Sequence, residues 1–260
     1  MTGLEGLAAL LDLTQAALAG ALLVFVRVSG VVALLPGFGE RLIPVRVRGA
    51  LAIAFTLVTF PMIAPQLIEP PARPFLAMLL VEASVGLLIG LAFRLLVIAL
   101  QLAGSIAAQS TSLAQIFGAG AAPDPMPAIG SILMLGGVTL AVVSGLHVKA
   151  AIAMAGSYDV LPMGVPLPAA DVLAWGMARV AQAFALGFSL AAPFVIGAFA
   201  YNLALGAINR AMPQLMVAFV GAPAITGATL VLLMLASPVL LTFWSGQLDG
   251  ALAAPFGALR

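Results

Sequence analysis

Three charged side chains, Arg27, Glu82 and Arg94, stand inside long apolar runs. A charge at the middle of a bilayer costs at least ~2.5–3.5 kcal/mol on insertion scales, so an ionisable residue there is a functional hypothesis by default. Glu82 and Arg94 lie twelve residues apart on one run, ~18 Å along a helix at ~1.5 Å per residue. They cannot pair on a straight helix. Each needs a partner on another helix, on another subunit or in water. An inter-helix ion pair between Arg27 and Glu82 is one such solution, and reversing both charges together is then expected to rescue what either single reversal loses. Arg94 has a second option, because its long stem can carry the guanidinium to an interface; Glu82 is too short for that.

Catalytic constellations are absent from the sequence. The single histidine, His147, has no HExxH around it, and one His cannot build a zinc site without further ligands. It reads as a capping or interfacial residue at a helix end. There is no GxSxG nucleophile elbow and no GxxxxGK[ST] phosphate loop. The Gly-rich fragments at 37–39 and 118–120 read as turns. The aspartates Asp12, Asp124, Asp159, Asp171 and Asp249 all fall outside the apolar runs, so no intramembrane aspartate pair is available for proteolysis. No enzyme activity, metal or cofactor is expected.

The composition says what must position these residues. The chain of 260 residues is 63% hydrophobic and 7% charged, with mean hydropathy +1.23. Soluble domains carry about 25% charged residues, and a soluble fold of this size lacks the polar cover for so much apolar surface. The fold class expected is an all-α integral membrane protein. A net charge of +1 gives no electrostatic basis for nucleic acid, and the absence of cysteine excludes disulfides. The first thirteen residues contain Glu5 and Asp12 but no basic residue, unlike the positive start of a secretory signal; the first apolar run is expected to be kept.

About 20 apolar residues span a hydrocarbon core of ~30 Å. Six runs are long enough, at about 16–35, 49–68, 75–104, 128–148, 172–205 and 215–244. Pro193 in the fifth run and Pro223 and Pro238 in the sixth are expected to bend or break their helices. The connection at 149–171 is expected to be a loop. By the positive-inside rule, the basic first connection, 36–48, and the fifth, with Arg210, face the cytoplasm and put the N-terminus outside. Gly86 and Gly90 form a GxxxG that lets helix backbones approach closely.

Two connections stand out. Residues 109–127, QSTSLAQIFGAGAAPDPMP, are small, flexible and nearly uncharged. Such a stretch is either an exposed loop or a re-entrant one, since irregular backbone at membrane depth must be buried in protein or line a cavity. Residues 202–220, NLALGAINRAMPQLMVAFV, read as a helical hairpin whose polar tip is Asn202, Asn209, Arg210, Pro213 and Gln214. Proline-broken helices with internal charges also fit a small secondary transporter, although such transporters usually show a repeat and none is found here.

Four stretches, in order along nearly the whole chain, carry a family resemblance: FVRVSGVVALLPGFGERLIPVRVRGALAIAF at 25–55, the 109–127 connection, SGLHVKAA with YDVLPMG at 144–151 and 158–164, and NLALGAINRAMPQLMVAFVGAP at 202–223. The sequence resembles the FliR family of flagellar export-apparatus membrane proteins and its injectisome counterparts in type III secretion. It departs from the family pattern at Met216, at Gly104–Ser105 and at Val148. The resemblance implies a non-enzymatic subunit of the bacterial inner membrane and flagellar basal body. That subunit closes a helical assembly with FliP-like and FliQ-like subunits, beside FlhB-like and FlhA-like components, through which unfolded substrates pass. It implies a FliP-like part at 1–183 and a FliQ-like hairpin with a C-terminal tail at 184–260, the hairpin itself at about 184–244 with its tip at 209–214. It also implies a plug loop of Phe117, Gly118, Ala119, Gly120, Pro123, Asp124, Pro125, Met126 and Pro127.

Overall fold

The computed structural model describes residues 3–40, 43–63, 73–112, 128–212 and 217–256. These form helices α1 (Gly3–Leu34), α2 (Val45–Ile63), α3 (Phe75–Ser112), α4 (Ala128–Val143), α5 (Leu146–Val160), α6 (Ala169–Ala211) and α7 (Val217–Ala253). No strand occurs among the described residues. A helix bonds its own backbone along its length, which is what a hydrocarbon surrounding demands. Three helices start one residue after a proline, at Pro44, Pro74 and Pro168. The Pro44 carbonyl accepts from Val47 at 3.0 Å, that of Pro74 from Ala77 at 2.9 Å and that of Pro168 from Asp171 at 3.1 Å.

Among the described residues, five helical stretches are long and apolar enough to cross a membrane: 14–34, 45–63, 75–111, 169–211 and 223–253. The broken pair α4 and α5 makes a sixth if taken as one span. The fold is thus the expected all-α membrane architecture, with two corrections. The fourth apolar run is interrupted at Gly145, whose φ of +82° lies in the left-handed region that favours glycine. The helix then resumes as α5, so 149–160 is helical and the connection shrinks to 161–168. Helices α6 and α7, in contrast, run unbroken through Pro193, Pro223 and Pro238. Membrane helices tolerate proline where neighbouring hydroxyls answer the freed carbonyl, and Ser237 Oγ stands 3.5 Å from the Met234 carbonyl, the group that Pro238 leaves without its helical donor. At ~1.5 Å per residue, the 43 residues of α6 measure about 65 Å, roughly twice a hydrocarbon core.

The chain forms two compact units, each assembled from separated stretches: 1–94 with 144–177 and 249–260, and 95–143 with 178–248. In the first, α1 packs on α2 and α2 on α5. Here α1 meets the first half of α3 through glycine. A Cβ on Gly30 would come within 2.9 Å of the Gly86 carbonyl carbon, and one on Gly86 would run into the Arg27 carbonyl oxygen. The core beside this seam is Val24, Val28, Val31, Val85, Ile89 and Phe93, all buried. The end of α7 also belongs to this unit, where the Trp175 indole donates to the Pro255 carbonyl at 3.3 Å and packs on Phe256.

The second unit has a glycine contact of its own, Gly104 of α3 against the Gly130 backbone of α4. Trp244 of α7 is fully buried and donates its indole N–H to the Leu96 carbonyl at 2.8 Å. A Cβ on Gly197 of α6 would touch Leu232 of α7 at 3.3 Å, so these two helices lie side by side.

Gly86 and Gly49 provide a matched pair of substitutions, because nothing lies within 4 Å of a Cβ placed on Gly49. Gly86→Ala is expected to destabilise by about 1–3 kcal/mol through backbone overlap. Gly49→Ala, inside α2, is expected to be neutral or stabilising by roughly 0.5–1 kcal/mol. Thermal unfolding in detergent measures both, and equal midpoints would contradict the α1–α3 seam.

Candidate functional site: a buried charge cluster

The first unit is tied together at Arg27. Its Nε donates to Glu82 Oε2 at 2.6 Å and its Nη2 to Glu82 Oε1 at 3.2 Å, the two-pronged arrangement that matches a guanidinium to a carboxylate. Nη2 also donates to the Leu161 carbonyl at 3.0 Å, and Nη1 to Ser157 Oγ at 3.1 Å. Four bonds therefore use four of the five N–H groups of the guanidinium. The plane lies over the Tyr158 ring, 3.7 Å from its centre, a cation–π contact in a desolvated place. Glu82 accepts a further bond from the Gly164 backbone N–H at 2.8 Å. Arg27 and Glu82 are both 0% exposed, and Ser157 and Tyr158 are buried with them.

Local sequence explains why the partners arrive. Pro162 lies just beyond the end of α5, whose Leu161 N–H still bonds back to Ser157 at 2.9 Å. Val165 N–H then closes a turn onto Pro162 at 3.2 Å, with Gly164 at φ +70°. A turn of this kind wants glycine at its third position. The end of α5 thus turns a carbonyl toward Arg27 and an amide toward Glu82. Pairing in the dry interior offsets the desolvation of two charges only when the remaining donors and acceptors are also met, and here they nearly all are. A sealed, doubly bonded pair of this kind holds α1, α3, α5 and the 161–164 turn in register.

Arg94 pairs with Glu40 at 2.6 Å, both side chains about a quarter exposed (27% and 24%). Its charge is therefore met by the turn that follows α1 and not by reaching an interface alone. Lys149 and Asp249 make a 2.7 Å pair at the surface; such exposed pairs contribute little. His147 is exposed in the first turn of α5 and does not cap it. Among the described residues no group of three His, Asp or Glu is arranged to hold a metal.

The remaining sequence-derived residues separate into two sets. The plug residues Phe117–Pro127, with Pro213 and Gln214 of the hairpin tip, lie outside the described residues. Asn202, Asn209 and Arg210 are described, but α6 runs through all three to Ala211. Asn202 is thus inside the helix, while Asn209 and Arg210 form its exposed last turn, where a cation complements the helix dipole. Ser157, Tyr158, Leu161, Gly164 and Glu40 carry the site without having been singled out by type. Their one signal was local: the YDVLPMG and GER stretches that hold four of them.

The geometry changes what a charge swap should do. An arginine at 82 could not accept from Gly164, and a glutamate at 27 could not donate to Leu161. Arg27→Glu with Glu82→Arg is therefore expected to leave the protein destabilised even though opposite charges are restored. Glu82→Gln is expected to cost about 3–5 kcal/mol, because it leaves a buried guanidinium uncompensated. Thermal unfolding in detergent reads both, and full recovery in the swapped double variant would contradict the bonds to the 161–164 turn.

Residues 18–251 match the family described as bacterial export proteins, family 1. Flagellar biosynthetic protein FliR of Caulobacter vibrioides is 32% identical over 208 residues, covering 78% of this chain and 82% of that protein. The Bacillus subtilis FliR is 28% identical over 237 residues, covering 84% and 86%. The Aquifex aeolicus FliR is 29% identical over 226 residues, covering 84% and 85%. With the match running from α1 to the end of α7, the chain belongs to the bacterial export proteins, family 1, as a multi-pass membrane member of the FliR family of flagellar biosynthetic proteins.

Proposed function

We propose that this chain is a non-enzymatic, gate-forming subunit of the flagellar type III export apparatus in the bacterial inner membrane, at the base of the flagellum. It closes a helical assembly with FliP-like and FliQ-like subunits, adjoining FlhB-like and FlhA-like components, and unfolded proteins pass through the centre. The observation that carries this reading is the family match over 18–251, with similarity to FliR proteins of three bacteria beside it.

Two structural features support it. Helix α6, about 65 Å long, reaches well beyond a hydrocarbon core, and α6 and α7 turn large apolar side chains outward along much of their length, among them Phe184, Phe188, Phe199, Leu235 and Phe243. Sister helices are the proposed cover for that surface. In this reading residues 1–183 form the FliP-like part and 184–260 the FliQ-like hairpin, and the segment Phe117–Pro127 plugs the pore. The transporter alternative rests on Pro-broken helices and intramembrane charges, and of those charges Arg27 and Glu82 are engaged with each other.

Purification through a tag on this chain tests the reading. Stable recovery with several copies of two small membrane proteins is expected; a monodisperse monomer or homodimer that moves a solute in liposomes would overturn it. Removal of 118–123 is expected to leave assembly intact and make the channel leaky to ions, measured as added permeability of the deletion strain. Arg210→Glu, on the exposed last turn of α6, is expected to reduce export while the protein stays in the membrane, and undiminished secretion would count against a contact role there.

A further inference from the structure

Helix α2 has two unlike faces. Ala52, Thr56, Thr59 and Ile63 point inward and are buried. The opposite side carries Ile53, Leu57, Val58 and Met62, exposed by 53%, 70%, 55% and 53%, together with exposed Ala50, Ala54 and Pro61. This outward stripe contains no polar side chain. Both threonines are on the inner face, where Thr56 bonds the Ala52 carbonyl at 2.7 Å. At the head of the stripe, seven residues before Ile53 and so on the same helical face, stands exposed Arg46. From Arg46 to Met62 the helix rises about 24 Å, close to the thickness of a hydrocarbon core.

Among the described residues, the cations at this end lack a carboxylate. Glu40, the acid of the preceding turn, is taken by Arg94 at 2.6 Å, and neither Arg46 nor Arg48 forms an ion pair among the described residues. Half-buried Arg48 also keeps an unpartnered Nε. A wholly apolar stripe of bilayer length, headed by an uncompensated arginine, matches one occupant in both its parts: acyl chains along the stripe and a headgroup phosphate at its end. We infer that the outward face of α2 is covered by lipid and that Arg46 binds the phosphate of an anionic phospholipid, with Arg48 adding a second positive charge at that level. This inference does not depend on the gate reading.

The test uses the full-length chain in the complex it is isolated in, reconstituted in phosphatidylcholine with or without phosphatidylglycerol. Native mass spectrometry counts retained lipid, and a photoreactive residue at position 57 reports what covers the stripe. Phosphatidylglycerol is expected to be retained over phosphatidylcholine. Arg46→Gln is expected to lower that retention about fivefold and Arg46→Gln with Arg48→Gln further, in line with the contribution of each arginine near an anionic surface. Arg46→Lys is expected to keep most of it, Lys149→Gln, at an exposed pair elsewhere, to leave it unchanged, and position 57 to label lipid. Absence of the preference, an equal loss in Lys149→Gln, or labelling of a protein neighbour from position 57 would each overturn the inference.

Discussion

The cost of placing charge in a dry interior shapes the first unit. Arg27 and Glu82 are fully buried, and neither can remain there ionised without the other. Meeting that demand takes contributions from three helices and a turn. α1 supplies the guanidinium, α3 the carboxylate, α5 a hydroxyl and an aromatic face, and the 161–164 turn a carbonyl and an amide. The glycine seam is the geometric condition for this arrangement. Gly30 and Gly86 bring α1 and α3 to backbone contact, close enough for Arg27 and Glu82 to meet side by side.

Much of this was legible in the residues. The apolar runs gave the membrane class and most of the helices, because length and composition alone decide what can span. The Arg27–Glu82 pair was legible because two opposite charges, one in the first apolar run and one in the third, have few other ways to be satisfied. The break at Gly145 was not, since apolar residues continue across it and a single glycine inside an apolar run is common in membrane helices. Nor does residue type say whether a proline breaks a helix: α6 and α7 run on through Pro193, Pro223 and Pro238, as membrane helices can where neighbouring groups answer the freed carbonyl.

The smaller partners were hidden for a different reason. Ser157, Leu161 and Gly164 act through one hydroxyl and two backbone groups, and nothing in residue type marks a backbone carbonyl as a ligand. Glu40 was hidden in a connection whose basic excess drew attention to orientation; its capture by Arg94 appears only once the turn after α1 is seen against α3. The same capture leaves Arg46 and Arg48 without an acid among the described residues and distinguishes that end of α2 from the rest of its outward face.

A density map of the membrane complex isolated through this chain tests the account most directly. The map is expected to place this chain within a helical assembly of other membrane subunits, with the outward faces of α6 and α7 covered by protein and the Arg27–Glu82 cluster closed. A chain surrounded by lipid on every face, or one with Arg27 and Glu82 separated, would contradict it.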